Sequence, residues 1–82
     1  MTIKENTGKK LHVIEAVNKV TGKVHYIGNA PYILYENIND CTPVSEERAT
    51  ENILKLRTVF RQKYDWANKC LFFDRTVTIS LD

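Results

Sequence analysis

Between residues 45 and 64 the chain carries the pattern of a capped amphipathic helix, and this limits what it can fold into. Ala49, Ile53, Leu56, Phe60 and Tyr64 recur at helical spacing and form one apolar stripe about 100° wide. Ser45 stands as the N-cap, with Glu46 and Glu47 in the first turn, where the helix dipole favours negative charge. Val44 precedes the cap and can staple onto Ala49. Lys55, Arg57, Arg61 and Lys63 crowd the second half, again with the sign the dipole prefers. Residues 65–68 end the helix. Its stripe has to be buried, and the chain on either side supplies strands to bury it.

The run Leu-His-Val-Ile-Glu-Ala-Val-Asn after Lys10 is rich in β-branched residues and reads as a strand. Val24-His25-Tyr26-Ile27 returns after a tight turn in which Gly22 takes the φ > 0 position of a type I turn with a G1 bulge. That turn predicts a register with Val17 facing His25 and Ala16 facing Tyr26; a slip of one residue would reverse the faces. Gly28-Asn29-Ala30-Pro31 breaks the strand. Residues 32–38 are expected as a third strand, with a short helix opened by Asn29 and Pro31 as the alternative. Residues 39–43 read as loop. From Thr76, Val77, Ile79 and Leu81 alternate with Thr78 and Ser80, a strand with one buried face. The expected class is α+β: an antiparallel sheet of three or four strands on one central amphipathic helix, in the order β-β-(β)-α-β.

At 82 residues this is a single compact domain, residues 1–9 being expected to be loose. A hydrophobic content of 43% suffices for a core but leaves little room for a deep cleft. The start, Met-Thr-Ile-Lys-Glu-Asn-Thr-Gly-Lys-Lys, has no apolar stretch like that of a signal peptide, and no segment approaches the ~20 apolar residues of a membrane span. Cys41 and Cys70 lie far apart with no CxxC partner, so the expectation is a cytoplasmic protein with reduced thiols and no membrane partner. Cys70, beside Leu71, Phe72 and Phe73, reads as a small core hydrophobe. Trp66 reads as a core plug rather than an exposed anchor.

No chemistry-bearing constellation stands out. His12 and His25, the only histidines, fall on opposite faces in the expected register, and no carboxylate cluster completes a metal site. The two serines, Ser45 and Ser80, sit at a cap and in a strand, outside any nucleophile elbow. Three glycines, none close together, make no phosphate loop. Catalytic residues, metal and cofactor are therefore all expected to be absent, and the chain is expected not to be an enzyme.

Binding residues are easier to nominate. The net charge of +2 conceals segregation: residues 1–25 carry +3, 26–54 carry −4 and 55–75 carry +4. Arg57 and Arg61 lie one turn apart on an edge of the apolar stripe, with Lys63 close by. Tyr32, Tyr35 and Glu36 form a second candidate group. Lys9, Lys10, Lys19 and Lys23 mark the hairpin ends and, with Arg57 and Arg61, could grip phosphates while tyrosines stack on bases. The bland reading is that these are ordinary solubility and dipole features.

The Met-Thr-Ile-Lys opening, the Lys/Asn/Ile/Tyr-rich composition, the Thr-Gly-Lys hairpin and the Ser-Glu-Glu-capped helix through Leu56-Arg57-Thr58-Val59-Phe60 together resemble the small early or accessory proteins of T4-like tailed phages. The resemblance covers all 82 residues in style and size, and carries over no site residues. It implies a stoichiometric counter-defence or host-takeover role in the host cytoplasm. The expected function is that of a non-enzymatic binding protein that inhibits or modulates a host protein or ribonucleoprotein handling nucleic acid. The alternative is a direct RNA- or DNA-binding module. A homodimer through the sheet is left open.

Overall fold

A computed structural model describes residues 10–78; the expectation of a loose 1–9 and the positions Lys9, Ile79, Ser80 and Leu81 lie outside the described residues. β1 (Lys10–Asn18), β2 (Val24–Ile27) and β3 (Cys70–Thr78) form one antiparallel sheet in the order β2-β1-β3. The main helix α1 (Glu46–Lys55) continues through a π-helical segment (Leu56–Phe60) into a short α2 (Arg61–Lys63), and α3 (Asp65–Asn68) leads into β3. This is the α+β class expected from the pattern. No helix among the described residues is long and apolar enough to cross a membrane.

The helix covers one side of the sheet. Ile14, Ala16, Ile27, Leu56, Ala67, Cys70 and Phe72 form the buried cluster, with Ile53, Phe60, Tyr64 and Trp66 packed against it. Trp66 thus closes the core, edge-on to both Phe60 and Phe72. Ser45 caps α1 by accepting the Arg48 N–H at 3.2 Å.

The helix is not α throughout, and its own stripe explains why. Leu56, Phe60 and Tyr64 follow one another in steps of four, and each such step rotates an α-helix about 40° past a full turn. The wider π turn takes up that drift and keeps all three over the sheet. Inside it, the Thr58 hydroxyl donates to the Leu54 carbonyl at 2.7 Å.

Four expectations are corrected. The hairpin register pairs Ala16 with His25 and Val17 with Val24. The Asn18 carboxamide accepts the Val20 and Thr21 N–H groups, and Asn18 itself closes the hairpin against Lys23, which fixes the slip of one. Gly22, at φ 77°, does occupy the left-handed position. His12 and His25 consequently share the helix-side face, but His12 is engaged by Asp74 at 2.7 Å.

Residues 32–38 do not form a third strand. Tyr35 alone makes a bridge, to Tyr26, and Ile38–Asp40 is a 3-10 turn capped by the Asn37 side chain. Pro31 and the turn from Ala30 to Ile33 leave too little straight chain for a ladder. The helix stops at Tyr64, whose extended backbone breaks it before α3, so residues 65–68 form a separate turn of helix rather than its end. Finally, the last strand begins at Cys70, six residues before Thr76, because Cys70 and Phe72 alternate into the core.

Candidate interaction surface

β3 is apolar on both faces, and one helix can cover only one of them. Its register with β1 places Leu71 opposite Val17 and Phe73 opposite Glu15, on the side away from the helix. β2 adds Val24 beside Val17 and Tyr26 beside Glu15. Two cross-strand rows result, Val24–Val17–Leu71 and Tyr26–Glu15–Phe73. Leu71 and Phe73 are 42% and 46% exposed although both are paired strand residues. Contiguous exposed apolar side chains on a sheet mark a docking surface more often than chance exposure does.

An ion pair crosses this face. Arg75 donates to the Glu15 carboxylate at 2.8 Å. That hydrogen bond and charge hold the guanidinium still further above its ordinary range, with a smaller contribution from Tyr26. Tyr35, bridged to Tyr26 through N–H···O bonds of 2.7 and 2.9 Å, extends the aromatic row past the edge of β2.

The nominated residues are distributed differently from one another. The guanidiniums of Arg57 and Arg61 turn inward over the edge of β3: Arg57 donates to the Phe72 carbonyl and Arg61 to the Cys70 carbonyl at 3.1 Å. Arg61 also lies 5.6 Å above the Phe72 ring centre, and its Nε is buried without a partner. Lys63 is exposed, its ammonium 5.7 Å from the Tyr64 ring centre. Tyr32 is exposed in the turn after Ala30, and Glu36 is exposed beside Tyr35. Of the second group, then, Tyr35 joins the open face.

Lys19 and Lys23 sit at the hairpin tip, while Lys10 opens β1 at the other end of the strand. The Lys19 N–H donates to the Lys69 carbonyl at 2.8 Å, and the charges of Lys19 and Arg61 both act on the Cys70 thiol. The fold therefore brings Lys19 of the first basic stretch beside Arg61 and Lys69 of the second at one end of the sheet.

Phe73, Leu71 and the Glu15–Arg75 pair escaped nomination, whereas Tyr26 was foreseen only as a ring for base stacking. The signal was present: nine strand residues with apolar side chains of both parities beside a single helix. Among the described residues no group of His, Cys, Asp and Glu is placed to hold a metal ion. Compared with known proteins, the chain matches no family model, no curated protein and no solved structure.

Proposed function

We propose that this is a non-enzymatic binding protein that inhibits or modulates a host factor handling nucleic acid, and that it docks through the open face of its sheet. The observation that carries the reading is the exposed pair Leu71 and Phe73, flanked by Tyr26 and the Glu15–Arg75 bridge. Aromatic residues and arginine are the side chains that dominate protein interfaces, and the neutralised ion pair leaves no net charge at the centre. The helix arginines are committed to β3 and are poorly placed to lead recognition.

A second reading, direct RNA or DNA binding, is favoured by one feature: the convergence of Lys19 and Arg61 near Cys70. Glu15 in the middle of the face weighs against stacked bases there.

One experiment separates the two. The paired change Leu71→Asp and Phe73→Asp should abolish capture of the partner from bacterial lysate while the far-UV spectrum stays unchanged, and nuclease should not matter. Nucleic-acid binding would instead be lost with Lys19→Glu and Lys23→Glu, and would weaken steeply between ~50 and ~200 mM salt. Retention of the partner by the Leu71/Phe73 variant would refute the open face as the docking surface.

A further inference from the structure

The sheet has two outer edges, and the protein covers part of each. On β2, Tyr35 pairs with the outward-pointing N–H and C=O of Tyr26. On β3 the ladder shows which groups point outward. Lys19 N–H to Lys69 C=O is a hydrogen-bonded pair, so by alternation Leu71, Phe73, Arg75 and Val77 also bond to β1. Cys70, Phe72, Asp74 and Thr76 therefore present their main-chain groups to the outside. Arg61 and Arg57 occupy the first two carbonyls. Among the described residues nothing occupies the N–H or C=O of Asp74 or Thr76.

We infer that residues 74–78 of β3 pair antiparallel with the same residues of a second copy, joining two sheets into one of six strands. The inference goes beyond the proposed docking function and does not rest on it. An unpaired strand edge can accept only another extended chain, and proteins that keep such an edge single blunt it with lysine, proline or a bulge. The half at residues 70–72 is blunted by arginine. The half at 74–78 has no lysine or proline, its Arg75 is drawn inward over the sheet to Glu15, and its register with β1 is unbroken to position 78. Its one charged outward residue, Asp74, is tied back to His12 at 2.7 Å.

Of the symmetric registers that lie within residues 74–78, the one centred on Thr76 pairs the whole segment. Centred on Asp74, a symmetric pair would set two carboxylates face to face and drive the arginine-capped end into the second copy. Centred on Arg75, it would oppose two guanidiniums, and like charges directly opposite are destabilising. Centred on Thr76, it sets Thr76 against Thr76, Arg75 against Val77 and Asp74 against position 78, with no like charges facing. Threonine pairs across strands are favourable, and the Arg75 stem can lie along Val77. The three outward pairs supply up to about six main-chain hydrogen bonds.

Sedimentation equilibrium and hydrogen exchange on the full chain test this. The wild-type mass should rise with concentration to twice that of one chain, and the Thr76 amide should exchange more slowly as it does. Thr76→Pro removes an N–H that points away from β1, so it leaves the internal ladder whole. It should give a folded protein whose self-association is weakened at least about tenfold. Should that variant fail to fold, the wild-type exchange data decide alone. A wild type that stays monomeric, a dimer whose Thr76 amide exchanges as fast as in the monomer, or a folded Thr76→Pro that dimerises as tightly would each overturn the inference.

Discussion

Gly28 shows how tightly single residues are specified here. A Cβ on it would stand 2.3 Å from the Thr42 carbonyl oxygen and 3.0 Å from the Cys41 sulfur, so the 41–42 segment lies directly on the glycine. Gly28→Ala should therefore cost about 1–3 kcal/mol in denaturant unfolding, as overpacking does against backbone that cannot yield. Gly22→Ala meets no neighbour, and its expected cost of about 1–2 kcal/mol comes only from the left-handed backbone at φ 77°. The cysteines give a pH signature. Burial pushes both thiols above their ordinary value of 9.0, outweighing the pull of Lys19 and Arg61 on Cys70. The unfolded chain then loses these protons at lower pH than the folded chain. Stability from this source is complete below about pH 8 and declines as pH rises through the unfolded thiol value and beyond. Denaturant midpoints measured between about pH 8 and about pH 10 should fall, and fall less in a Cys41→Ala, Cys70→Ala variant. Native thiols should also react with a disulfide reagent far more slowly than in the unfolded chain.

At the scale of elements, the arginines of the helix are sheet parts as much as helix parts. Each caps a carbonyl on the outer edge of β3 that would otherwise face solvent or the helix without a donor. Arg57→Ala with Arg61→Ala should destabilise the fold by about 1–3 kcal/mol, whereas Lys55→Ala with Lys63→Ala should change it by less than about 0.5 kcal/mol. Equal losses in the two doubles, read from urea midpoints, would mean that the carbonyl caps add nothing. β3 itself offers a sharper contrast. Phe72 is 1% exposed in the core, and its replacement by alanine should cost about 3–5 kcal/mol. Its neighbours Leu71 and Phe73 face the other way, so their conversion to serine should stay within about 1 kcal/mol of wild type. That threefold comparison checks the assignment of faces without reference to any partner.

Among the described residues, one side of the sheet is dressed by a helix, while on the other Val13 is buried and Leu71 and Phe73 stay exposed. That other side holds the proposed docking face, and the unfinished half of β3 borders it, so a dimer through that edge would set two such faces side by side. A bivalent partner would then bind with an effective concentration set by the dimer rather than by diffusion. The basic end formed by Lys19, Lys23 and Arg61 lies at the hairpin tip, away from the edge segment at 74–78. Charge and self-association can therefore be perturbed independently. Lys19→Glu with Lys23→Glu should leave the sedimentation behaviour of the wild type unchanged while raising the sensitivity to neither salt nor concentration.

The sequence by itself determined the elements whose signals are local. Ser45 and the acidic first turn mark where the helix starts, the 49/53/56/60 spacing names its buried side, and Gly22 marks the hairpin tip. Each depends on contacts within a few residues, which periodicity and turn chemistry report directly. Tertiary structure alone decided the rest. Whether Cys70–Thr78 becomes a strand depends on Phe72 finding Ala16, far away in the chain. The same holds for Arg57 and Arg61. Their position on the helix surface is periodic and legible, but the carbonyls they reach belong to β3, and a helical wheel has no coordinate for a strand that packs beneath it. The open face follows from the same arithmetic of the whole: one helix, two sheet faces, and an apolar strand with side chains on both.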